Sequence, residues 1–211
     1  MTKGDHGAAA DLFRRLVAVE PRSEKAWLKL GRCLEADRRF ADAANAYREL
    51  IKQQPTHPVG HNNLGHALFQ LGLFGEAIDA FKTALAVHPD YPEATLNLAN
   101  KLCTIAKSLP CPGWSLPDAN LADDGCDNDP AALAIHYYRQ AINLKPGLAG
   151  AHYGLGVAYQ LQGNLDDAAS SLRKVLELEP DHGRAFSMLS SLTGQRQVFE
   201  RPHMPHETRP G

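Results

Sequence analysis

Four cysteines, ten histidines and a run of aspartates are the residue types in this 211-residue chain that could hold a metal or carry a reaction. Their spacing argues against both. Cys103, Cys111 and Cys126 lie eight and fifteen residues apart, without the close Cys-x2-Cys pairs of structural zinc sites. The acidic run Asp118, Asp123, Asp124, Asp127 and Asp129 does not keep the alternate-position oxygens of a calcium loop. His61 and His66 are five apart, off a common helix face, and His203 and His206 lie in a proline-rich tail with no rigid frame. Gly154-x-Gly156 is a fragment of a phosphate-binding turn with no strand before it, and Asp166 and Asp167 read as a solvated helix start. No catalytic constellation emerges, so the expectation is a protein without catalysis, cofactor or metal.

The elements that must position any other site follow from an internal ruler. Pro21, Pro55 and Pro89 are 34 residues apart, and Pro146 and Pro180 are again 34 apart. The middle gap is 57, one period with 23 residues added. Gly31, Gly65, Ala99 and Gly156 keep the same offsets, as do Ala43, Ala77, Ala134 and Ala168. Four residues after each of those alanines stands Tyr47, Phe81, Tyr138 or Leu172. Each unit reads as two amphipathic helices. Trp27, Leu30 and Leu34 mark the first in unit one; Ala43, Tyr47 and Leu50, at i, i+4 and i+7, mark the second. Gly31 and Ala43 are small where the two axes would cross, and the proline ends the second helix.

These residues resemble the tetratricopeptide repeat, whose pattern is Trp-x2-Leu-Gly-x2-Tyr, then Ala-x3-Phe, then Pro. Here it stands as Trp27, Leu30, Gly31, Leu34, Ala43, Tyr47, Pro55. It recurs as Leu64, Gly65, Leu68, Ala77, Phe81, Pro89, then as Leu98, Ala99, Leu102, Ala134, Tyr138, Pro146, and finally as Leu155, Gly156, Tyr159, Ala168, Leu172, Pro180. The style is closest to the arrays of O-GlcNAc transferase-like proteins and bacterial repeat-containing transferases. The resemblance implies an all-α, right-handed superhelical solenoid of helix-turn-helix units, with a capping helix and one inserted loop. Its divisions would be a half-repeat helix over 1–23, repeats over 24–57, 58–91, 92–148 and 149–182, a capping helix over 183–194 and a disordered tail over 195–211.

The added residues, about 108–128, fall between the two helices of the third unit. They run from a proline-rich apolar half, Leu109 to Pro117, into the acidic half, and Asp129-Pro130 forms a good helix start. Three readings stand side by side: a surface insertion, since loops lengthen at small cost; a lid or docking element carrying Trp114; and a metal site.

Composition bounds the partners. With 22 Lys+Arg against 24 Asp+Glu the net charge is −2, without the basic excess of a nucleic-acid binder. An apolar share of 44% is too high for wholesale disorder. No run of 18 apolar residues exists, and the first ten residues lack an export signal's apolar stretch. Four unevenly spaced cysteines do not make a disulfide framework, so the expectation is a cytoplasmic protein that binds neither nucleic acid nor membrane.

What the resemblance implies about a site concerns the inner face of the superhelix, lined by the first helix of each unit. One column there holds Lys29, Asn63, Asn97 and Gly154; three residues on come Arg32, His66, Asn100 and Val157. In the O-GlcNAc transferase branch an asparagine ladder in the first column holds an extended peptide, and Asn63 with Asn97 look like a two-rung version. A carboxamide donates and accepts, so it can satisfy a strand's backbone without reading its side chains. The expected groove comprises Lys29, Arg32, Asn63, His66, Asn97, Asn100 and Tyr153. The carboxylate clamp that captures chaperone tails is not expected: of Leu28, Arg32, Asn63, Glu93 and Asn97, Glu93 puts an acid where a cation should stand. The reading is therefore a non-catalytic interaction scaffold for an extended segment of a partner protein. The alternative is a detached or truncated substrate-presenting module of a glycosyltransferase, sulfotransferase or methyltransferase system, and self-association through the end helices stays open.

Overall fold

The computed structural model describes residues 3–108 and 129–199. They form ten α-helices: α1 (Lys3–Val19), α2 (Glu24–Ala36), α3 (Phe40–Gln53), α4 (Pro58–Gln70), α5 (Phe74–Val87), α6 (Pro92–Ser108), α7 (Pro130–Leu144), α8 (Ala149–Leu161), α9 (Leu165–Leu178) and α10 (Gly183–Phe199). No strand occurs among the described residues. Four hairpins, α2/α3, α4/α5, α6/α7 and α8/α9, stack in chain order, with α1 and α10 as half-units at the ends. This is the all-α repeat solenoid that the period demands. No described helix is long and apolar enough to cross a membrane.

The columns explain the stack. Tyr47, Phe81, Tyr138 and Leu172 are at most 1% exposed, and Tyr47, Phe81 and Leu172 pack at the crossings of their own hairpins. Opposite Tyr47 and Phe81 glycine is a steric requirement. A Cβ on Gly31 would come 2.3 Å from Tyr47 Cε1, and one on Gly65 would come 2.9 Å from Phe81 Cδ2.

The tight turns inside the hairpins share another column. Gly72 and Gly163 have φ of 79° and 78°, and Arg38 stands at the same position with φ 61°. That left-handed backbone costs a side chain-bearing residue roughly 1–2 kcal/mol, which glycine avoids. Arg38→Gly is therefore expected to stabilise the fold by about 1 kcal/mol, read as a raised urea midpoint.

Between repeats, side chains bind the carbonyls of Pro21, Pro55 and Pro146. Trp27 Nε1 donates to the Pro21 carbonyl at 2.7 Å, while His61 Nε2 and His152 Nε2 lie 2.7 and 3.0 Å from the carbonyls of Pro55 and Pro146. The two histidines thus keep the tryptophan's hydrogen bond as well as its place. His57 Nδ1 accepts from Gly60 N at 2.8 Å to cap α4, and its Nε2 meets Glu24 Oε1 at 3.0 Å.

Helices α6 and α7 pack as one hairpin although about twenty residues separate them: Leu98, Leu102, Leu133 and Ala134 are all fully buried in one cluster. Asp129 Oδ1 accepts from Ala131 N at 2.9 Å ahead of Pro130, the helix start that the sequence signals. The insertion, with Trp114, Cys111 and Cys126, lies outside the described residues, as does the tail from residue 200. Deleting 109–127 is expected to leave the helical circular-dichroism signal and cooperative melting in place, because Asp129, which caps α7, lies outside the deleted segment and α6 and α7 are held together by their own buried side chains. Loss of the cooperative transition would contradict this. Helix α10 continues to Phe199, past Gly194, and Ser187, Ser190 and Ser191 on it are exposed.

Candidate functional site

The expected groove residues all stand on first helices: Lys29 and Arg32 on α2, Asn63 and His66 on α4, Asn97 and Asn100 on α6, Tyr153 on α8. The structure links most of them through residues outside the expected groove, Glu35, Asn62 and Tyr138.

The first link is Glu35. Its Oε2 accepts from the Tyr47 hydroxyl at 2.9 Å, and its Oε1 lies 2.9 Å from His66 Nδ1. The Glu35 side chain is only 18% exposed, so these two contacts replace much of its water. Burial first, and the Glu35 charge second, push the Tyr47 phenol well above its ordinary range. Tyr47 is therefore a permanent donor. Lys101 lies nearby with its ammonium 4.6 Å from the centre of the Phe69 ring. Burial draws its pKa down while Glu35 opposes that shift. Arg32 is exposed at the edge of this group.

The second link is Asn62, 7% exposed. Asn97 Nδ2 donates to Asn62 Oδ1 and Asn62 Nδ2 donates to Asn63 Oδ1, both at 3.2 Å. The two rungs are thus joined across α4 and α6 by a third, buried carboxamide. The signal was present in the sequence: the Asn62 column otherwise holds Leu28, Leu96 and Tyr153, so an amide there breaks an apolar row.

The third link is Tyr138, whose hydroxyl donates to Asn100 Oδ1 at 2.8 Å. Burial and the adjacent Cys103 raise its phenol, and burial raises the Cys103 thiol in turn. The same ring ends the ladder. A Cβ on Gly154 would lie 2.3 Å from Tyr138 Cε1 and Cζ, so no asparagine fits at the fourth position of the column. Ala99 stands on α6 where the other hairpins have glycine, and the tyrosine ring is accommodated under α8 instead.

Two candidates stand apart from this network. The Tyr153 ring lies 5.1 Å from that of His182, and His182 Nδ1 caps α10 by accepting from Ala185 N at 3.1 Å. The Lys29 ammonium sits 5.7 Å from the Phe13 ring of α1. Among the described residues Cys33 and Cys103 are free thiols, and no three His, Cys, Asp or Glu side chains converge as metal ligands.

Stacked antiparallel hairpins on a 34-residue period, with polar side chains joined from one first helix to the next, define a helical-repeat solenoid. Tetratricopeptide repeat models match residues 1–58, 58–91, 132–163 and 149–182. The chain belongs to the tetratricopeptide repeat family. Several solved structures share its fold. MamA is 25% identical over 86% of this chain and 93% of its own, with a TM-score of 0.67. YrrB, described as a repeat protein with an unusual peptide-binding site, is 18% identical over 91% of this chain and 87% of its own, TM-score 0.66. The first tetratricopeptide repeat region of Spaghetti (RPAP3), bound to the HSP90 peptide SRMEEVD, is 21% identical over 66% of this chain and 93% of its own, TM-score 0.53. Among curated proteins none matches the sequence.

Proposed function

We propose that this protein is a non-catalytic interaction scaffold whose first-helix face holds an extended segment of a partner protein. The observation that carries this reading is the carboxamide chain Asn63–Asn62–Asn97, continued along α6 by Asn100. Carboxamides already oriented by one another lose less side-chain freedom when a peptide backbone exchanges for water. Arg32 and Lys101 lie near Tyr47 and Glu35 at one end of the chain, with Lys29 further along α2, and Glu35 is already paired with Tyr47 and His66. The α2 end of the face therefore favours acidic side chains on the bound segment, while exposed Glu93 disfavours them at the start of α6. YrrB and the Spaghetti repeat region supply the analogy of peptide binding on this fold. Exposed Glu93 sets this chain apart from a carboxylate clamp.

Magnitudes bound the proposal. About four amide hydrogen bonds at roughly 0.5–1.5 kcal/mol each contribute about 2–6 kcal/mol, against an association cost of about 4–15 kcal/mol. Apolar contacts beside the ladder, at Phe69 and Leu96, must supply the difference.

The test is affinity capture from native lysate, comparing wild type with the Asn63→Ala, Asn97→Ala double variant by mass spectrometry. A partner kept by wild type and lost by the variant is the expected result. Partners retained equally by both would place the binding surface elsewhere.

A further inference from the structure

The two ends of the stack expose opposite halves of one repeat. Helix α1 is a second-type helix: Leu12, Phe13 and Leu16 stand one period before Ala46, Tyr47 and Leu50 of α3. Both α1 and α3 have a first helix packed after them, α2 and α4 respectively. Among the described residues α3 also has one packed before it, α2, and α1 does not. The consequence is visible column by column: Ala46, Tyr47 and Leu50 are 3%, 0% and 0% exposed, whereas Leu12 is 64% and Leu16 37% exposed. At the other end α10 is a first-type helix. Its Leu189, Ser190 and Thr193 stand one period after Leu155, Gly156 and Tyr159 of α8, which α9 helps to bury. Ser190 and Thr193 are exposed.

We infer that α1 of one copy docks on α10 of a second copy, completing a repeat between chains in a head-to-tail array. What α1 lacks is a first helix over its exposed Leu12 and Leu16, and α10 offers the exposed face of Ser190 and Thr193, in the columns of Gly31 and Leu34. Charge agrees with this occupant. In the first hairpin Gln54 Nε2 donates to Glu24 Oε2 at 3.0 Å, fixing which end of a second helix meets which end of a first. One period earlier than Gln54 stands Glu20, and in the column next to Glu24 stands Arg184. The junction therefore brings Glu20 of one copy beside Arg184 of the next. Because the contact joins unlike surfaces, each copy keeps one open end, and growth continues with concentration.

Sedimentation velocity on the full chain, from micromolar to submillimolar concentration, tests this with Leu12→Glu and Ser190→Arg. Both positions are exposed, so circular dichroism should show unchanged helix content. Wild type is expected to gain mass with concentration, and each variant alone to stay monomeric, with association weakened at least about tenfold. An equimolar mixture of the two variants should form a dimer and nothing larger, since one contributes an intact α10 and the other an intact α1. A wild type that stays monomeric throughout overturns the inference. So does a mixture that remains monomeric, and self-association of Ser190→Arg would show α1 pairing with α1 instead.

Discussion

Tyr47→Ala is expected to cost about 3–5 kcal/mol, the range for truncating a fully buried aromatic side chain. The ring is 0% exposed and fills the crossing of α2 and α3 over Gly31, which has no side chain to collapse into the space. Its hydroxyl also satisfies Glu35, a carboxylate that is itself largely covered. Tyr47→Phe separates the two contributions. It keeps the packing and removes one charge-assisted hydrogen bond, so about 1.5–3 kcal/mol is expected. In a repeat stack coupling runs mainly between neighbours, so the alanine variant should fray the N-terminal hairpins before the C-terminal ones. Urea denaturation followed by circular dichroism, with hydrogen exchange resolved by helix, measures both. Equal losses for Ala and Phe would show that the hydroxyl, not the ring, dominates.

Gly154→Asn is expected to destabilise by about 1–3 kcal/mol, although it restores the residue type that the column carries at Asn63 and Asn97. The new Cβ would meet Tyr138 Cε1 and Cζ at 2.3 Å, far inside contact distance. Moving that ring also breaks its hydrogen bond to Asn100. Pairing the change with Tyr138→Leu should make Gly154→Asn cheaper than it is in wild type, a coupling that a double-mutant cycle measures directly. Additive costs would show that Tyr138 does not limit the ladder.

How the fold and the site were legible differs in kind. The hairpins follow from columns that repeat every 34 residues, because a residue in a stacked repeat meets the same neighbour type each time. Asp129-Pro130 marks a helix start by local chemistry alone, and the structure shows the cap. The site was legible only as a list of polar residues on first helices. Which of them touch depends on how far one repeat rotates against the next, and no spacing within a repeat encodes that. Hence Glu35, 31 residues before His66, and Asn62, 35 before Asn97, were missed as links. Tyr138 was read as a core column member, which it is at 1% exposed, but its hydroxyl also reaches Asn100 and its ring displaces the ladder at Gly154. That second role arises from Ala99 replacing the glycine found in the other hairpins.

The central claim is that a partner segment lies along the first helices. Hydrogen–deuterium exchange on the complex with a captured partner, compared with the protein alone, tests it most directly. The account predicts added protection on α4 and α6 around Asn63 and Asn97, reduced by the Asn63→Ala, Asn97→Ala double variant. Protection confined to the second helices α3, α5, α7 and α9 would contradict it.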